Sequence, residues 1–407
     1  MKNKHLYLPA AAVTLLCLSS PAWAGNACAA LSAIYQSMPV GNPNAPSVMK
    51  GLRGALKTCR SQLAALSPAA AASAAAPAAD GRFVIFDVPG EDTSYGPVPA
   101  AINNAGAVAG YYLDAGFAEH SFLRAPDGTI TTFDPPGTAC TPGAFCSTAI
   151  GITPGGVVMG SYVDLTGGHG YLRTPDGQFQ KFDVPGSNNS TDPQGINAAG
   201  SVTGVYTGSG GLFHGFLRQA NGIYTTFDPP SSVYTWPTDI SSSGSIVGYY
   251  LEADPGLVIG FLRTTNGSFT PFNAPNGGFL NTAPTIAINA QGTVTGSFCN
   301  DALCDVALGF LRANDGTMTV FAAPGDNILT GPDAINAAGD TTGWSLLSDF
   351  SALHGFVRSH QGTIATIDPP GSSFTFPFAI NDPGAVAGNF CDPTQTTCHG
   401  FVWIPHR

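Results

Sequence analysis

A motif of about 46 residues occurs seven times along this chain, and this repeat limits the possible folds more than any other feature of the sequence. Each copy begins with Ile-Asn or a close variant, and these dipeptides are Ile102-Asn103, Ile152-Thr153, Ile196-Asn197, Ile240-Ser241, Ile288-Asn289, Ile335-Asn336 and Ile380-Asn381. Internal repeats of this length predict an array of similar structural units.

Every copy contains four short segments that are rich in β-branched and aromatic residues. After Ile-Asn come Gly-x-Val-x-Gly-x-Tyr (residues 106–112 in the first copy), then His-Gly-Phe-Leu-Arg (214–218 in the third), then Thr-x-Phe-Asp-Pro-Pro (131–136 in the first). Asp-Gly or Asn-Gly usually separates the last two segments, as at Asp127-Gly128, and favours a two-residue hairpin turn. Four antiparallel strands in each copy predict the blade of a β-propeller.

The two ends of the repeat array complement each other. The seventh copy stops after its third segment, at residues 399–403, whereas an isolated fourth segment, residues 83–89, precedes the first copy. Pairing these two segments would complete one blade and remove two free sheet edges. We therefore predict an all-β protein, a seven-bladed β-propeller over residues 81–407.

These repeated motifs resemble those of the bacterial extracellular repeats called the HAF family, whose name reflects a His-Ala-Phe motif. Ile-Asn-x-x-Gly, His-Gly-Phe-Leu-Arg and Phe-Asp-Pro-Pro-Gly carry the resemblance. This chain departs from the family in having Gly or Ser at the middle position of the His-Ala-Phe motif. The resemblance implies an extracellular setting. It implies no particular reaction and no catalytic residue.

The sequence before the repeats has a different character. Residues 1–24 have Lys2 and Lys4, an apolar core and an Ala-Trp-Ala cleavage signal, so we predict a signal peptide and a secreted or periplasmic protein without a transmembrane segment. Residues 25–66 show helical apolar spacing and are predicted to form a helical hairpin, and 67–80 are an Ala/Pro-rich linker. The basic face of that hairpin is either solvated or a docking surface.

The cysteines and the net charge indicate which crosslinks, metal sites and partners to expect. Eight cysteines remain after the signal peptide, an even number that predicts four local disulfides in an exported chain: Cys28–Cys59, Cys140–Cys146, Cys299–Cys304 and Cys391–Cys398. We expect no metal site of the Cys/His type, because no C-x-x-C pair occurs and no His lies at ligand spacing. The formal charge of −11 and the absence of a basic stripe exclude nucleic acid as a partner.

Histidine and aspartate recur together in five blades. The five pairs that we expect to form structural hydrogen bonds are His120 with Asp134, His169 with Asp183, His214 with Asp228, His354 with Asp368, and His399 with Asp87. A two-residue turn would put His120 and Asp134 on opposite faces of the sheet, so their contact would need strand twist or an Asp of another blade. Six blades also repeat an arginine, which argues for a structural role, since one active site cannot use six copies.

Function is expected in the long loops, which differ from blade to blade and contain three of the predicted disulfides. Their aromatic and acidic side chains suit sugars, and their acids could also bind Ca²⁺, the one cofactor we consider. The candidate ligand-binding residues are Tyr95, Tyr234, Trp236, Glu252, Asp254, Phe374 and Phe376. Of these, Tyr234 and Trp236, adjacent to Pro237, look the most exposed and are the predicted stacking pair; the alternative interpretation is that Trp236 packs against its neighbouring blade. The sequence thus predicts a monomeric binding module for an extracellular glycan or surface ligand. The alternative is a polysaccharide lyase or hydrolase, which a tight cluster of His, Tyr and Arg at the channel mouth would favour.

Overall fold

The computed structural model describes residues 77–253, 257–275, 279–280, 285–299, 306–325 and 327–406. The predicted signal peptide, the predicted hairpin with Cys28 and Cys59, and most of the predicted linker lie outside these residues. The described part of the chain forms twenty-nine β-strands and no α-helix, so it is all-β, as the repeat predicts. Within it, no helix is long and apolar enough to cross a membrane.

The strands are short, and they follow the segments of the repeat. Their bounds are β1 (Gly81–Phe86), β2 (Val98–Ile102), β3 (Val108–Leu113), β4 (Glu119–Arg124), β5 (Ile130–Phe133), β6 (Ser147–Ile152), β7 (Val158–Asp164), β8 (Gly167–Arg173), β9 (Phe179–Phe182), β10 (Thr191–Ile196), β11 (Val202–Thr207), β12 (Phe213–Arg218), β13 (Tyr224–Phe227), β14 (Ser232–Ile240), β15 (Ile246–Glu252), β16 (Val258–Arg263), β17 (Phe269–Phe272), β18 (Phe279–Leu280), β19 (Ile286–Ile288), β20 (Val294–Cys299), β21 (Ala307–Arg312), β22 (Met318–Phe321), β23 (Asn327–Ile335), β24 (Thr341–Leu347), β25 (Leu353–Arg358), β26 (Ile364–Thr366), β27 (Phe374–Ile380), β28 (Val386–Cys391) and β29 (Cys398–Pro405).

Antiparallel pairing groups these strands into consecutive sets that follow the order of the repeats. β2 to β5, β6 to β9, β10 to β13 and β14 to β17 each form a separate four-stranded sheet. β18 and β19 both pair with β20, which continues through β21 to β22, and β23 to β26 follow in order. Single parallel pairs, such as Ala307 with Leu329, join the start of a third strand to the next set. Successive four-stranded sheets in contact with each other are the arrangement of a β-propeller.

The last set contains strands from both ends of the repeat array. β27, β28 and β29 pair in order, and β1 pairs with the outer side of β29. The register places Phe83 opposite Trp403 and Phe86 opposite Gly400. The pairing predicted between the orphan segment and the incomplete seventh copy is therefore confirmed.

The residues just before β1 also contact the sheets. The Ala79 amide donates to the Thr366 carbonyl at 2.8 Å, and the Thr366 amide donates to the Pro77 carbonyl at 2.9 Å. Residues 77–79 thus lie along the outer edge of β26, and His406 Nδ1 lies 2.7 Å from Asp80.

The Asn of each Ile-Asn dipeptide connects one set to the next. Asn381 Nδ2 donates to the Asn103 carbonyl oxygen at 2.9 Å, which links the last set to the first. The equivalent bonds run from Asn103 to Thr153, Asn197 to Ser241, Asn289 to Asn336, and Asn336 to Asn381. The Oδ1 atoms of the same side chains also accept hydrogen bonds from backbone amides of their own turns. One Asn side chain thus satisfies a carbonyl group of the next set and an amide group of its own turn. This double use explains why Asn recurs at this position.

The repeated arginines provide a second connection between sets. Each guanidinium lies over the ring of a Phe in the preceding set, at 4.7 to 5.5 Å from the ring centroid. The pairs are Arg124 with Phe86, Arg173 with Phe133, Arg218 with Phe182, Arg263 with Phe227, Arg312 with Phe272, and Arg358 with Phe321. A planar cation stacked on an aromatic ring at a largely desolvated interface stabilises that interface. The arrangement agrees with a structural role for the six arginines.

The turns between third and fourth strands differ from the predicted two-residue hairpins. The Ala125 amide donates to the Thr129 carbonyl, which leaves three loop residues, and Gly128 has a φ of 96°. This is a type I turn followed by a left-handed glycine, in which Gly is favoured because it lacks a Cβ. The additional loop residue shifts the register by one position and decides which side chains face each other.

Candidate binding face

All long loops emerge at one end of the sheets. Antiparallel order places the connections from second to third strands at the same end as those from each fourth strand to the next set, and we call this end the long-loop face. The opposite end, which we call the short-turn face, carries the Asn turns and the three-residue turns. The two ends therefore differ in variability, because the short turns repeat nearly unchanged.

Disulfides lie at the long-loop face. Cys140–Cys146 closes the loop between β5 and β6, and Cys391–Cys398 joins directly opposed residues of β28 and β29. Cys299, at the end of β20, is also disulfide-bonded, while its predicted partner Cys304 lies outside the described residues. These crosslinks limit the motion of loops that otherwise lack regular structure.

The five His–Asp pairs are also at the long-loop face, and each pair lies within a single set. The His Nδ1 to Asp carboxylate distances are 2.7 Å for His120–Asp134, His169–Asp183 and His354–Asp368, 2.8 Å for His214–Asp228, and 2.6 Å for His399–Asp87. The expectation that His120 and Asp134 would be on opposite faces is wrong. With three residues in the turn, the register Ser121 to Phe133 makes them direct cross-strand neighbours.

The aspartates of these pairs also contact the next set. Asp134 accepts a hydrogen bond from Ser147 Oγ at 2.6 Å, and Asp228 accepts one from Thr235 Oγ1 at 2.6 Å. The hydrogen bond to its Asp raises the pKa of His120, and that of His354 in the same way. A repeated contact between strand ends and a neighbouring set favours a structural role over a catalytic one.

The predicted stacking pair, Tyr234 and Trp236, is less exposed than the sequence suggested. Both side chains are half-buried and pack against the hydrophobic core between the fourth and fifth sets. Trp236 stacks on Tyr249 with ring centroids 6.4 Å apart, and Phe213 of the preceding set meets it edge-on at 5.4 Å. Trp236 therefore joins two sets, as the alternative interpretation of this residue required.

The other predicted ligand-binding residues are placed differently from one another. Phe374 is a core residue with 6% exposure, so its predicted role as a surface ligand contact is not compatible with its position. Phe376 stacks on Phe378, and Tyr95 meets Phe117 edge-on at 5.8 Å. Glu252 ends β15 in a half-exposed position. Asp254 lies outside the described residues.

Exposed apolar side chains that the sequence did not single out concentrate at the long-loop face. Leu165 is 97% exposed, Leu212 47%, and Phe213 and Leu257 are both 39% exposed. Leu165, Leu212 and Leu257 lie in the loops between second and third strands of three successive sets, and Phe213 is the first residue of β12. An apolar residue just before the recurring His214 was the available signal, but exposure could not be inferred from it. Their common position at one end of the sheets makes the long-loop face the candidate binding surface.

Burial raises the pKa of several carboxyl groups above the ordinary value. Burial raises the pKa of Glu119 to about 8, of Asp192 to about 7, of Asp239 to about 6 and of Asp333 to about 8. Asp239 accepts the amides of Ile240 and Ile288, and Glu119 bonds to Thr148 of the next set. These four acids belong to four different sets, and each has protein partners. Perturbed acids are candidates for acid–base chemistry, although interfacial contacts produce them too.

The first set contains a group of potential metal ligands. One ligand atom each of His120, Cys140 and Cys146 lies within 4.8 Å of the others, and no other group of three His, Cys, Asp or Glu residues in the described chain meets this criterion. Sequence spacing gave no sign of it, because His120 and Cys140 are twenty positions apart and the fold brings them together. As a disulfide, the two sulfurs are not thiolate ligands.

No protein-family model and no curated protein sequence matches this chain. Solved β-propeller structures do resemble it. The virginiamycin B lyase from Staphylococcus aureus has a TM-score of 0.52 and 18% identity, over 79% of this chain and 99% of the lyase. A streptogramin B lyase structure has a TM-score of 0.50 and 15% identity, over 79% of this chain and 97% of that protein. The acylaminoacyl peptidase of Pyrococcus horikoshii has a TM-score of 0.51 and 8% identity, over 78% of this chain and 52% of the peptidase. At these identities the likeness shows the fold alone.

Proposed function

We propose that this chain is an exported, seven-bladed β-propeller that binds an extracellular glycan or surface ligand on its long-loop face. The observation that carries the proposal is the contrast between the two ends of the sheets. One end repeats uniform turns, whereas the other presents variable, disulfide-braced loops with exposed apolar side chains.

The architecture in this proposal is supported by contacts at both ends of the array. β1 completes the last set, and the Asn381 side chain bonds to the first set, as a ring of seven blades would require. An exported protein of the HAF type fits the repeated motifs, and the disulfides are compatible with an extracellular location.

The binding patch that we propose lies between the third and fourth sets. Phe213 and Trp236 form an edge-to-face aromatic pair, Tyr234 lies on the same strand as Trp236, and Leu212 extends the apolar surface. The carbon faces of sugar rings stack on such aromatic surfaces. Glu252, at the end of the paired strand, would accept hydrogen bonds from sugar hydroxyls. Because Trp236 is fixed by Tyr249, the patch is ordered before the ligand arrives, which reduces the entropic cost of binding.

A polysaccharide lyase or hydrolase is the second candidate, and the raised pKa values of Glu119 and Asp333 are the observation that favours it. A group that stays protonated near neutral pH can act as a general acid. The described histidines and arginines, however, recur set by set and do not form the tight cluster that an active site would require.

A panel of glycans and extracellular polymers, scored for both retention of the protein and release of soluble products, tests the proposal. We expect saturable binding to at least one neutral glycan, without product release. Product release would support the enzyme instead, and failure to bind any member of a broad panel would contradict a glycan-binding role.

A further inference from the structure

The first set differs from the other four that carry a His–Asp pair, because one ligand atom each of its histidine and of two cysteines lie within 4.8 Å of one another. The Cys140 Sγ is 3.9 Å from Asp134 Oδ2, the same oxygen that bonds to His120 Nδ1. Cys146 is fully buried, whereas Cys140 is exposed at the surface. The group therefore combines two sulfurs, an imidazole and a carboxylate at a site open on one side.

We propose that reduction of Cys140–Cys146 turns this group into a binding site for a thiophilic divalent cation, of which Zn²⁺ is the best match. Two thiolates and one imidazole are characteristic ligands of Zn²⁺, which is usually tetrahedral. The mutual distances of up to 4.8 Å between the ligand atoms need only small side-chain movements to converge on one ion.

The surroundings of His120 favour this use of its ring. Metal-binding histidines usually donate the other ring N–H to a carboxylate, which fixes the orientation of the ring. Here Asp134 lies at 2.7 Å from Nδ1 and fixes the ring in this way. Asp114 Oδ2 lies 3.5 Å from the other ring nitrogen, Nε2. The carboxylates of Asp114 and Asp134 also give the site a negative charge that attracts a cation.

Disulfide and metal site are alternative states of the same residues. An external dithiol reduces the Cys140–Cys146 bond by forming its own disulfide, and this leaves two thiols on the protein. Binding of the cation then releases the two thiol protons, because the ligands are thiolates. Oxidation removes two of the ligands, so the redox state of the surroundings determines whether the site can bind a metal.

Internal controls are available in the same chain. The Cys391–Cys398 disulfide lies at the equivalent face, next to His399, but does not form a group at metal-ligand spacing. His214 has the same contact with Asp228 at 2.8 Å as His120 has with Asp134, without neighbouring cysteines.

The test uses the full mature chain, reduced with a phosphine that is then removed, and titrated with Co²⁺ followed by Zn²⁺ under anaerobic conditions. We expect a thiolate-to-cobalt absorption band that saturates at about one equivalent and that Zn²⁺ displaces. The oxidised protein should not show the band. His120→Gln should weaken Co²⁺ binding at least tenfold, about 1.4 kcal/mol, whereas His214→Gln should leave it unchanged.

The cysteine pairs provide the deciding comparison. The double substitution Cys140→Ser with Cys146→Ser should abolish the band, and Cys391→Ser with Cys398→Ser should retain it. Equal binding by both double variants, or a band that His120→Gln does not weaken, would overturn the proposal. If the Cys140/Cys146 variant does not fold, the His120→Gln and His214→Gln pair decides the question, because both variants keep every disulfide.

Discussion

Replacing Asn381 tests how the last and first sets are held together. Its Nδ2 donates to the Asn103 carbonyl at 2.9 Å, its Oδ1 accepts the Ala385 amide at 2.8 Å, and the residue is buried. Asn381→Ala removes both bonds and leaves two backbone groups unsatisfied, so we expect a loss of about 3 kcal/mol in the free energy of unfolding. Another copy of the repeat has a residue at the equivalent position that can form only one of these two bonds.

Thr153 occupies the equivalent position in the second copy, and its Oγ1 accepts the Val157 amide at 3.0 Å. Asn381→Thr should therefore keep the turn bond and lose the bond to the first set, at a cost of about 1 to 1.5 kcal/mol. Asn197→Thr, which breaks the same kind of bond inside the array, is the matched control and should cost a similar amount.

Equilibrium denaturation with urea, monitored by tryptophan fluorescence, measures these differences. Amide hydrogen exchange adds location, since Asn381→Thr should increase exchange in β2 and β27 specifically. The reasoning would be refuted if Asn381→Thr were as destabilising as Asn381→Ala, or if both changed the stability by less than about 0.5 kcal/mol.

Three further predictions concern pH, the set interfaces and the terminal strand. Because burial raises the pKa of Glu119 to about 8, the folded state keeps a proton that the unfolded chain loses above about pH 4.5. Stability should thus fall as pH rises from about 5 to 8, by up to about 1.4 kcal/mol per pH unit from this group, and Glu119→Gln should flatten the measured profile. Arg263→Lys should lower stability by about 1 kcal/mol through loss of the planar stack on Phe227, and an unchanged melting temperature would contradict this. Deletion of residues 81–90 should expose the edge of β29 and cause aggregation or a sharp loss of stability, and a truncated protein that melts like the parent would argue against closure by β1.

The strands were predictable from the sequence because the same pattern of four short segments occurs in successive copies of the repeat. The pairing of β1 with β29 followed from counting segments, since only one fourth segment and one incomplete copy were left over. The register was not predictable, because Asp-Gly is compatible with both two-residue and three-residue turns. The third residue of the turn between β4 and β5 decided whether His120 and Asp134 faced each other.

Side-chain positions on the long-loop face were harder to predict, because they depend on neighbours that are distant in sequence. Trp236 looked exposed beside Pro237, yet Phe213 of the preceding set and Tyr249 of its own set cover its ring. The proximity of His120 to Cys140 likewise results from the packing of the first set against the second. Unlike the Asn and Arg contacts between sets, these residue pairs do not recur from copy to copy, so the repeat could not reveal them.

The most direct test of the proposed function compares two exposed apolar residues at opposite ends of the same set. Phe213 is 39% exposed on the long-loop face, and Ile223 is 57% exposed on the short-turn face. Affinity for the glycan that binds best in the panel should fall at least tenfold, about 1.4 kcal/mol, in Phe213→Ala and stay unchanged in Ile223→Ala, with similar melting temperatures for both. Unchanged affinity in Phe213→Ala, or an equal loss in Ile223→Ala, would contradict binding at the long-loop face.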